Sequence, residues 1–184
     1  MIFPIRAYGD PVLRQTCQAI VPEFPELAQL IANMYETMYE SNGVGLAAPQ
    51  IGKNIRLFII DTNAFSDKKI KGLKKTFINP ELISESGNLW DFEEGCLSIP
   101  RIRENIKRHS DLVIKYQDEN FNWQQDSYND MTARVIQHEY DHLEGVLFVD
   151  LLSPLKKQLI KGKLINISKG KIDVDYKMKF YTKK

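Results

Sequence analysis

Apolar side chains recur at Leu27, Leu30, Ile31, Met34, Tyr35 and Met38, the three-and-four spacing of one helix face. This predicts a helix within residues 25–43, stopped by Asn42-Gly43. The period then shortens. IRLFIID (55–61) and TFINPELI (76–83) have the length and apolar content of strands. DLVIKYQDENFNWQQDSY (111–128) alternates around a polar centre and predicts a hairpin. TARVIQHEYDHLEG (132–145) returns to helical spacing and ends at Gly145. SPLKKQLIKGKLINI (153–167) opens with Ser before Pro, an N-cap with proline at the first helical position. KIDVDYKMKF (171–180) alternates and predicts a last strand. Short strands beside three helices, without a strand–helix–strand rhythm, predict an α+β fold. Its small antiparallel or mixed sheets would pack around the helix at 132–145.

Length changes this picture little: 184 residues suit one domain with a real core. The expectation is a single catalytic domain over 1–184, with 153–184 as a basic helix/strand extension. The longest apolar runs, such as Leu57 to Ile60, are far too short to span a bilayer, so no membrane partner is expected. The N-terminus, MIFPIRAYGDPVLR, lacks a signal-peptide core and reads as cytoplasmic. Cys17 and Cys96 would then sit in a reducing compartment, where a structural disulfide is not expected.

Charge adds an asymmetry. The whole chain carries +1, but residues 1–155 carry −7 and residues 156–184 carry +8. A basic end on an acidic body offers a docking surface for something anionic, or else a solvated lysine-rich tail.

The chemistry concentrates in QHEYDHLEG (137–145). His138 and His142 are four apart, so on a helix they face one point and can share an ion such as zinc or ferrous iron. Glu139 is placed to handle the proton of a metal-activated water. A chain of this size spells the pattern by chance on the order of once in a few hundred cases. The bland alternative is a polar amphipathic helix with solvent-facing histidines. Val135, Ile136 and Leu143 bury one face, which makes unsatisfied neighbouring histidines costly.

A catalytic metal usually takes three protein ligands. Downstream, VLFVDLLSP offers only Asp150, and His109 lies in the charged run RENIKRHSD. The better donor is Cys96 in EEGCLSIP (93–100), where Gly95 lets backbone approach a ligand closely. Alone, either cysteine reads as a small buried hydrophobe. Nothing around Cys17 looks like a site. Cys96 with the pair makes a His₂Cys set with an open fourth position, suited to iron, zinc, nickel or cobalt.

GVGLAAPQIG (43–52) imitates a dinucleotide-binding glycine loop. The context fails, since a helix precedes it and Pro49 and Gly52 leave no room for one after it. It reads either as a helix cap and turn, or as a loop whose backbone holds an extended peptide, with Gln50 as an amide donor.

Taken in order, Gly43-Val44-Gly45-Leu46-Ala47-Ala48-Pro49-Gln50, Glu94-Gly95-Cys96-Leu97-Ser98 and Gln137-His138-Glu139-Tyr140-Asp141-His142 resemble the peptide deformylase family. The likeness runs from YGDPVLR through FINPEL to VLFVDLLSPLKK, to about residue 157; ISKGKIDVDYKMKF is less typical. The resemblance implies one divalent ion per chain, commonly Fe2+, held by Cys96, His138 and His142; Zn2+, Ni2+ or Co2+ could replace it in purified samples. It implies removal of the formyl group from the N-terminal formyl-methionine of nascent bacterial polypeptides, with release of formate. Activated water would attack the formyl carbon. Glu139 would be the general acid/base, with the Gln50 side chain and the Leu97 backbone N–H as oxyanion donors. Val44 and Gly45 would pair with the substrate backbone beside Gly95. Val44, Met131 and Val135 would form the methionine pocket. Glu94 would pair with Arg103 or, by family position, Arg108. The basic end would help dock at a ribosome, and the chain would be a monomer or weak dimer. A different H-E-x-x-H hydrolase, or a zinc-stabilised binding module, are the competing classes.

Overall fold

The computed structural model describes residues 1–65 and 72–182; the last two residues of the expected extension lie outside them. Its elements are β1 (Ile5–Arg6), α1 (Leu27–Glu40), β2 (Gly45–Ala47), β3 (Leu57–Asp61), β4 (Lys74–Cys96), β5 (Ile99–Gln117), β6 (Trp123–Asn129), α2 (Asp130–Leu143), α3 (Pro154–Ser168) and β7 (Met178–Lys179), with short 3₁₀ turns between. Strands β2-β3-β4-β5-β6 form one antiparallel sheet in that order. β1 and β7 form a small parallel pair. This is the expected α+β architecture.

The predicted helices form because their apolar stripes find partners. Leu30, Ile31, Met34 and Met38 of α1 pack on Leu46, Leu57 and Ile59. Each such side chain contributes about 1.5–3 kcal/mol when fully buried. Asn42 takes a left-handed φ of 55° and the Gly43 N–H reaches back to the Met38 carbonyl, so the chain stops where Asn-Gly predicts. α2 packs Ala133, Ile136 and Leu143 on Phe58, Phe77 and Ile114. Ser153 caps α3, accepting from the Lys156 N–H at 3.4 Å. Ile160, Leu164 and Ile167 of α3 then close a third cluster with Ile99, Ile102 and Phe148.

Three expectations need correction. The strand at 76–83 is part of β4, 23 residues long, and its partner β5 has 19. Together they make a long bulged hairpin. Most of residues 83–93 are exposed, so no buried face imposes the alternation that signals a strand. The glycine loop is more than a cap and turn: Gly43 closes α1, but Gly45–Ala47 is the edge strand β2, followed by a 3₁₀ turn over Ala48–Ile51. The expected last strand at 171–180 shrinks to Met178–Lys179, because β1 offers only Ile5 and Arg6 to pair with.

Candidate metal centre

The site forms where α2, the tip of the β4–β5 hairpin and the β2 segment meet. The hairpin reverses at Leu97-Ser98, with Cys96 paired to Ile99, which presents Cys96 at the tip. From α2, His138 and His142 lie one turn apart, their rings 5.2 Å between centroids and nearly perpendicular. One ligand atom each from Cys96, His138 and His142 lie within 4.8 Å of one another. Cys96 Sγ is 3.3 Å from His142 Nε2. A soft thiolate and two borderline imidazoles around one point suit a transition metal, so the donor set fits the ion. The histidines are buried, which removes the solvent-facing alternative.

Glu94 organises the surroundings. Its Oε2 lies 3.0 Å from His138 Nδ1, leaving that ring's Nε2 for the cluster. Its Oε1 accepts from Arg108 Nε at 2.7 Å and Arg134 Nη1 at 2.8 Å, and its Oε2 from Arg108 Nη2 at 3.1 Å. Arg108 also donates to Asp141 at 2.8 Å. Burial alone would raise the Glu94 carboxyl; His138 and Arg108 outweigh it and hold it well below the carboxylate range. Burial keeps His142 well below its ordinary value, favouring the neutral ring a metal needs. For His138 burial is opposed by hydrogen bonds to Cys96 and Glu94, which hold its pKa well above normal; a cation at the cluster competes with that proton.

Glu139 is buried beside the cluster and its Oε2 has no hydrogen-bond partner among the described residues. Burial pushes its carboxyl up to about 7. Gln50 has a fixed amide orientation. Its Oε1 accepts the Ala47 N–H at 2.8 Å, so its Nε2 points at Cys96 Sγ and Ser98 Oγ, 3.4 Å from each. A cavity of about 790 Å³ opens over these groups. Val44, Gly45, Gln50, Gly95, Cys96, Leu97, Met131, Val135, His138 and Glu139 all line it. Cys17 stands in a separate core cluster, burial pushing its thiol up to about 11. His109 is on the hairpin near the Gly87 carbonyl, and Asp150 pairs with Arg14.

The family model described as polypeptide deformylase matches residues 2–158. The chain belongs to the polypeptide deformylase family. It is therefore an enzyme that hydrolyses an N-formyl amide, in a family that depends on a metal ion. The peptide deformylase of Flavobacterium psychrophilum is 54% identical over 193 residues, covering 100% of both chains. That of Cytophaga hutchinsonii is 54% identical over 184 residues, again covering 100% of both. Among solved structures, a peptide deformylase from Legionella pneumophila superposes with a TM-score of 0.81 at 37% identity, covering 93% of this chain and 98% of that one. Arabidopsis thaliana peptide deformylase 1B, in complex with an inhibitor, gives 0.83 at 34% identity, with 92% of each chain covered.

Sequence reasoning missed several residues of this deformylase site. Arg134 is buried, stacked 4.2 Å over the Trp90 ring, and donates to the Trp90 and Ile106 carbonyls. Its signal was present: it precedes His138 by four, on the buried side of α2. Asp141, three beyond His138, was similarly readable. Phe65 and Phe92 line the cavity from segments with no local signature. Val174, Asp175 and Tyr176 line it too, from the segment that looked least like the family. Arg108 rather than Arg103 pairs with Glu94; Arg103 faces Glu93 at an exposed 3.9 Å.

Proposed function

We propose that the chain removes the formyl group from formyl-methionine at the start of nascent polypeptides, with Cys96, His138 and His142 holding one divalent ion, Fe2+ in the cell. Purified samples would also accept Zn2+, Ni2+ or Co2+. The ion supplies Lewis acidity and lowers the pKa of water in its coordination shell. Glu139 takes the proton of the attacking water and delivers it to the leaving amine nitrogen; a carboxyl near neutrality suits both transfers. The Gln50 Nε2 and the Leu97 N–H donate to the oxyanion that develops on the formyl group. β2 is an edge strand, so an extended substrate backbone can add to it along Val44 and Gly45, opposite Gly95. Val44, Met131 and Val135 receive the methionine side chain.

The observation that carries this reading is the fixed Gln50 amide, aimed at the same point as the three ligands beside buried Glu139. The test is anaerobic turnover of formyl-Met-Ala-Ser with metal analysis of the same samples. Wild type releases formate. Glu139→Ala keeps its metal and loses about 10²–10⁴-fold in rate. Cys96→Ser loses metal. Retained turnover in Glu139→Ala would remove Glu139 from the reaction. Crowding of Gly45 on Glu139 supports selection of formyl over larger acyl groups. Equal turnover of acetyl-Met-Ala-Ser would contradict it.

In the same reading residues 1–184 act as one catalytic domain, cytoplasmic and bacterial, as a monomer or weak dimer. Among the described residues no helix is long and apolar enough to cross a membrane. Residues 153–184 dock the chain near its substrate on a ribosome, supported by the +8 charge of 156–184 and by exposed Lys157, Lys161 and Lys163 on α3. Reversing those three charges should weaken ribosome binding and flatten its salt dependence.

A further inference from the structure

The tip of the β4–β5 hairpin carries Cys96 and Leu97, so its position sets both a metal ligand and the proposed backbone oxyanion donor. Two consecutive carbonyls follow Cys96, and the two ends of the chain hold them. The Tyr176 hydroxyl donates to the Leu97 carbonyl at 2.7 Å. The Tyr8 N–H donates to the Ser98 carbonyl at 2.8 Å. Both holders are anchored by the same small sheet, where the Ile5 N–H meets the Lys177 carbonyl at 2.8 Å and the Ala7 N–H meets the Lys179 carbonyl at 3.0 Å. Met178, inside that sheet, packs into two of the hydrophobic clusters. Tyr176 is thus half-buried in a bend two residues before the braced strand β7, and its neighbours Val174 and Asp175 line the cavity with it. It lies beyond residue 158, where the family match ends.

We propose that Tyr176 is a positioning residue for the deformylation step: its hydroxyl pins the Leu97 carbonyl and, through the Leu97 backbone torsions, the preceding Cys96–Leu97 peptide, whose N–H is thereby aimed at the developing oxyanion. This rests on the role proposed above for Leu97. In this proposal Tyr176 acts through the backbone it holds. The ring keeps its packing without the hydroxyl, so Tyr176→Phe removes one hydrogen bond and little else. A small misplacement of a reacting group is enough to cost a large factor in rate.

The experiment compares the full-length metal-loaded wild type, Tyr176→Phe and Gln50→Ala on formyl-Met-Ala-Ser, with metal content, thermal midpoint and hydrogen exchange at the Leu97 and Ser98 amides. Tyr176→Phe should lower kcat about five- to twentyfold with KM within twofold, since the lost alignment matters in the transition state. Metal content and thermal midpoint should stay near wild type, while the Leu97 and Ser98 amides exchange faster. The exchange readout is repeated on metal-free protein, where turnover plays no part. Unchanged kcat in Tyr176→Phe, while Gln50→Ala falls at least tenfold, overturns the Tyr176 proposal alone. Unchanged kcat in both variants overturns it together with the oxyanion reading. A fall in kcat matched by lost metal or lost folded protein also overturns it, because the role is then only structural.

Discussion

Glu94 Oε2 stands 3.0 Å from His138 Nδ1, and the same carboxylate binds two buried arginines, Arg108 and Arg134. One anion therefore orients a ring of the candidate metal cluster and offsets two cations held 6% and 2% exposed. Removing it leaves Arg134 buried without its paired anion and Arg108 with Asp141 alone. Glu94→Ala should cost about 3–5 kcal/mol of stability, measured as a shift of the urea midpoint at constant m-value. Glu94→Gln keeps the shape, and its metal affinity should fall about 10–100-fold because His138 loses its carboxylate partner. Competition with a chromogenic chelator reads that affinity; wild-type affinity in Glu94→Gln would mean that another group orients the ring.

Gly45 makes a different demand. A Cβ there would lie 2.8 Å from the Glu139 Cδ, with the Glu139 Oε1 closer still. Its backbone is not among the left-handed residues, so the glycine serves close approach rather than an unusual φ. Gly45→Ala should displace the Glu139 carboxylate and lower kcat by about 10²-fold. The stability cost should be smaller, about 1–3 kcal/mol, the ordinary cost of overpacking. Steady-state kinetics beside a denaturation curve separates the two; near-wild-type kcat would show that Glu139 has room to move.

Asn79 links three segments. It adopts φ 48°, its Oδ1 accepts the Ile20 N–H at 2.7 Å, and its Nδ2 donates to the Ile20 carbonyl at 2.8 Å and to Gln117 Oε1 at 2.7 Å. Asn79→Ala unpairs both backbone groups of buried Ile20 and loses the residue type that tolerates this conformation. A loss of about 2–4 kcal/mol is expected in the urea midpoint, with little change in metal content.

Asp126 carries a pH dependence remote from the metal. It accepts from Tyr116 at 2.6 Å, Lys75 at 2.9 Å and Tyr128 at 3.0 Å. The Tyr116 hydrogen bond leads, and with Lys75 and Tyr128 it outweighs desolvation and lowers the carboxyl pKa. The folded value is below the unfolded one, so this stabilisation is complete above about pH 5 and is lost as pH falls through the folded value. Asp126→Asn should therefore be less stable than wild type at pH 7, and the difference should shrink on acidification toward pH 3. Thermal midpoints at matched ionic strength test this; a gap that widens toward acid would reverse the sign.

The parts legible in the sequence were those with a local signature. The periods of α1 and α2, the Ser-Pro start of α3 and the Asn-Gly stop after α1 each follow from a few neighbouring residues. His138, Glu139 and His142 were readable because one helical turn brings them together. Cys96 came from elimination of other donors and then from resemblance. The long β4–β5 hairpin was not legible, since residues 83–93 of β4 are mostly exposed and the buried face of β5 carries a charged Arg108 beside Ile102 and Ile106. Arg134 carried a positional signal, four before His138, but its role is set by Glu94, Trp90 and Ile106, which are distant in sequence. Tyr176 had no local signal at all, since its partner is a backbone carbonyl 79 positions away.

Pairing β1 with β7 joins Ile5 to Met178, nearly the whole chain apart. Closing a loop of that length costs more chain entropy than any of the other strand pairings. The wall formed by Val174, Asp175 and Tyr176 therefore depends on the longest-range strand pairing among the described residues. The side of the cleft that Tyr176 closes is thus held through the pairing of Ile5 with Met178, far in sequence from the residues at its centre.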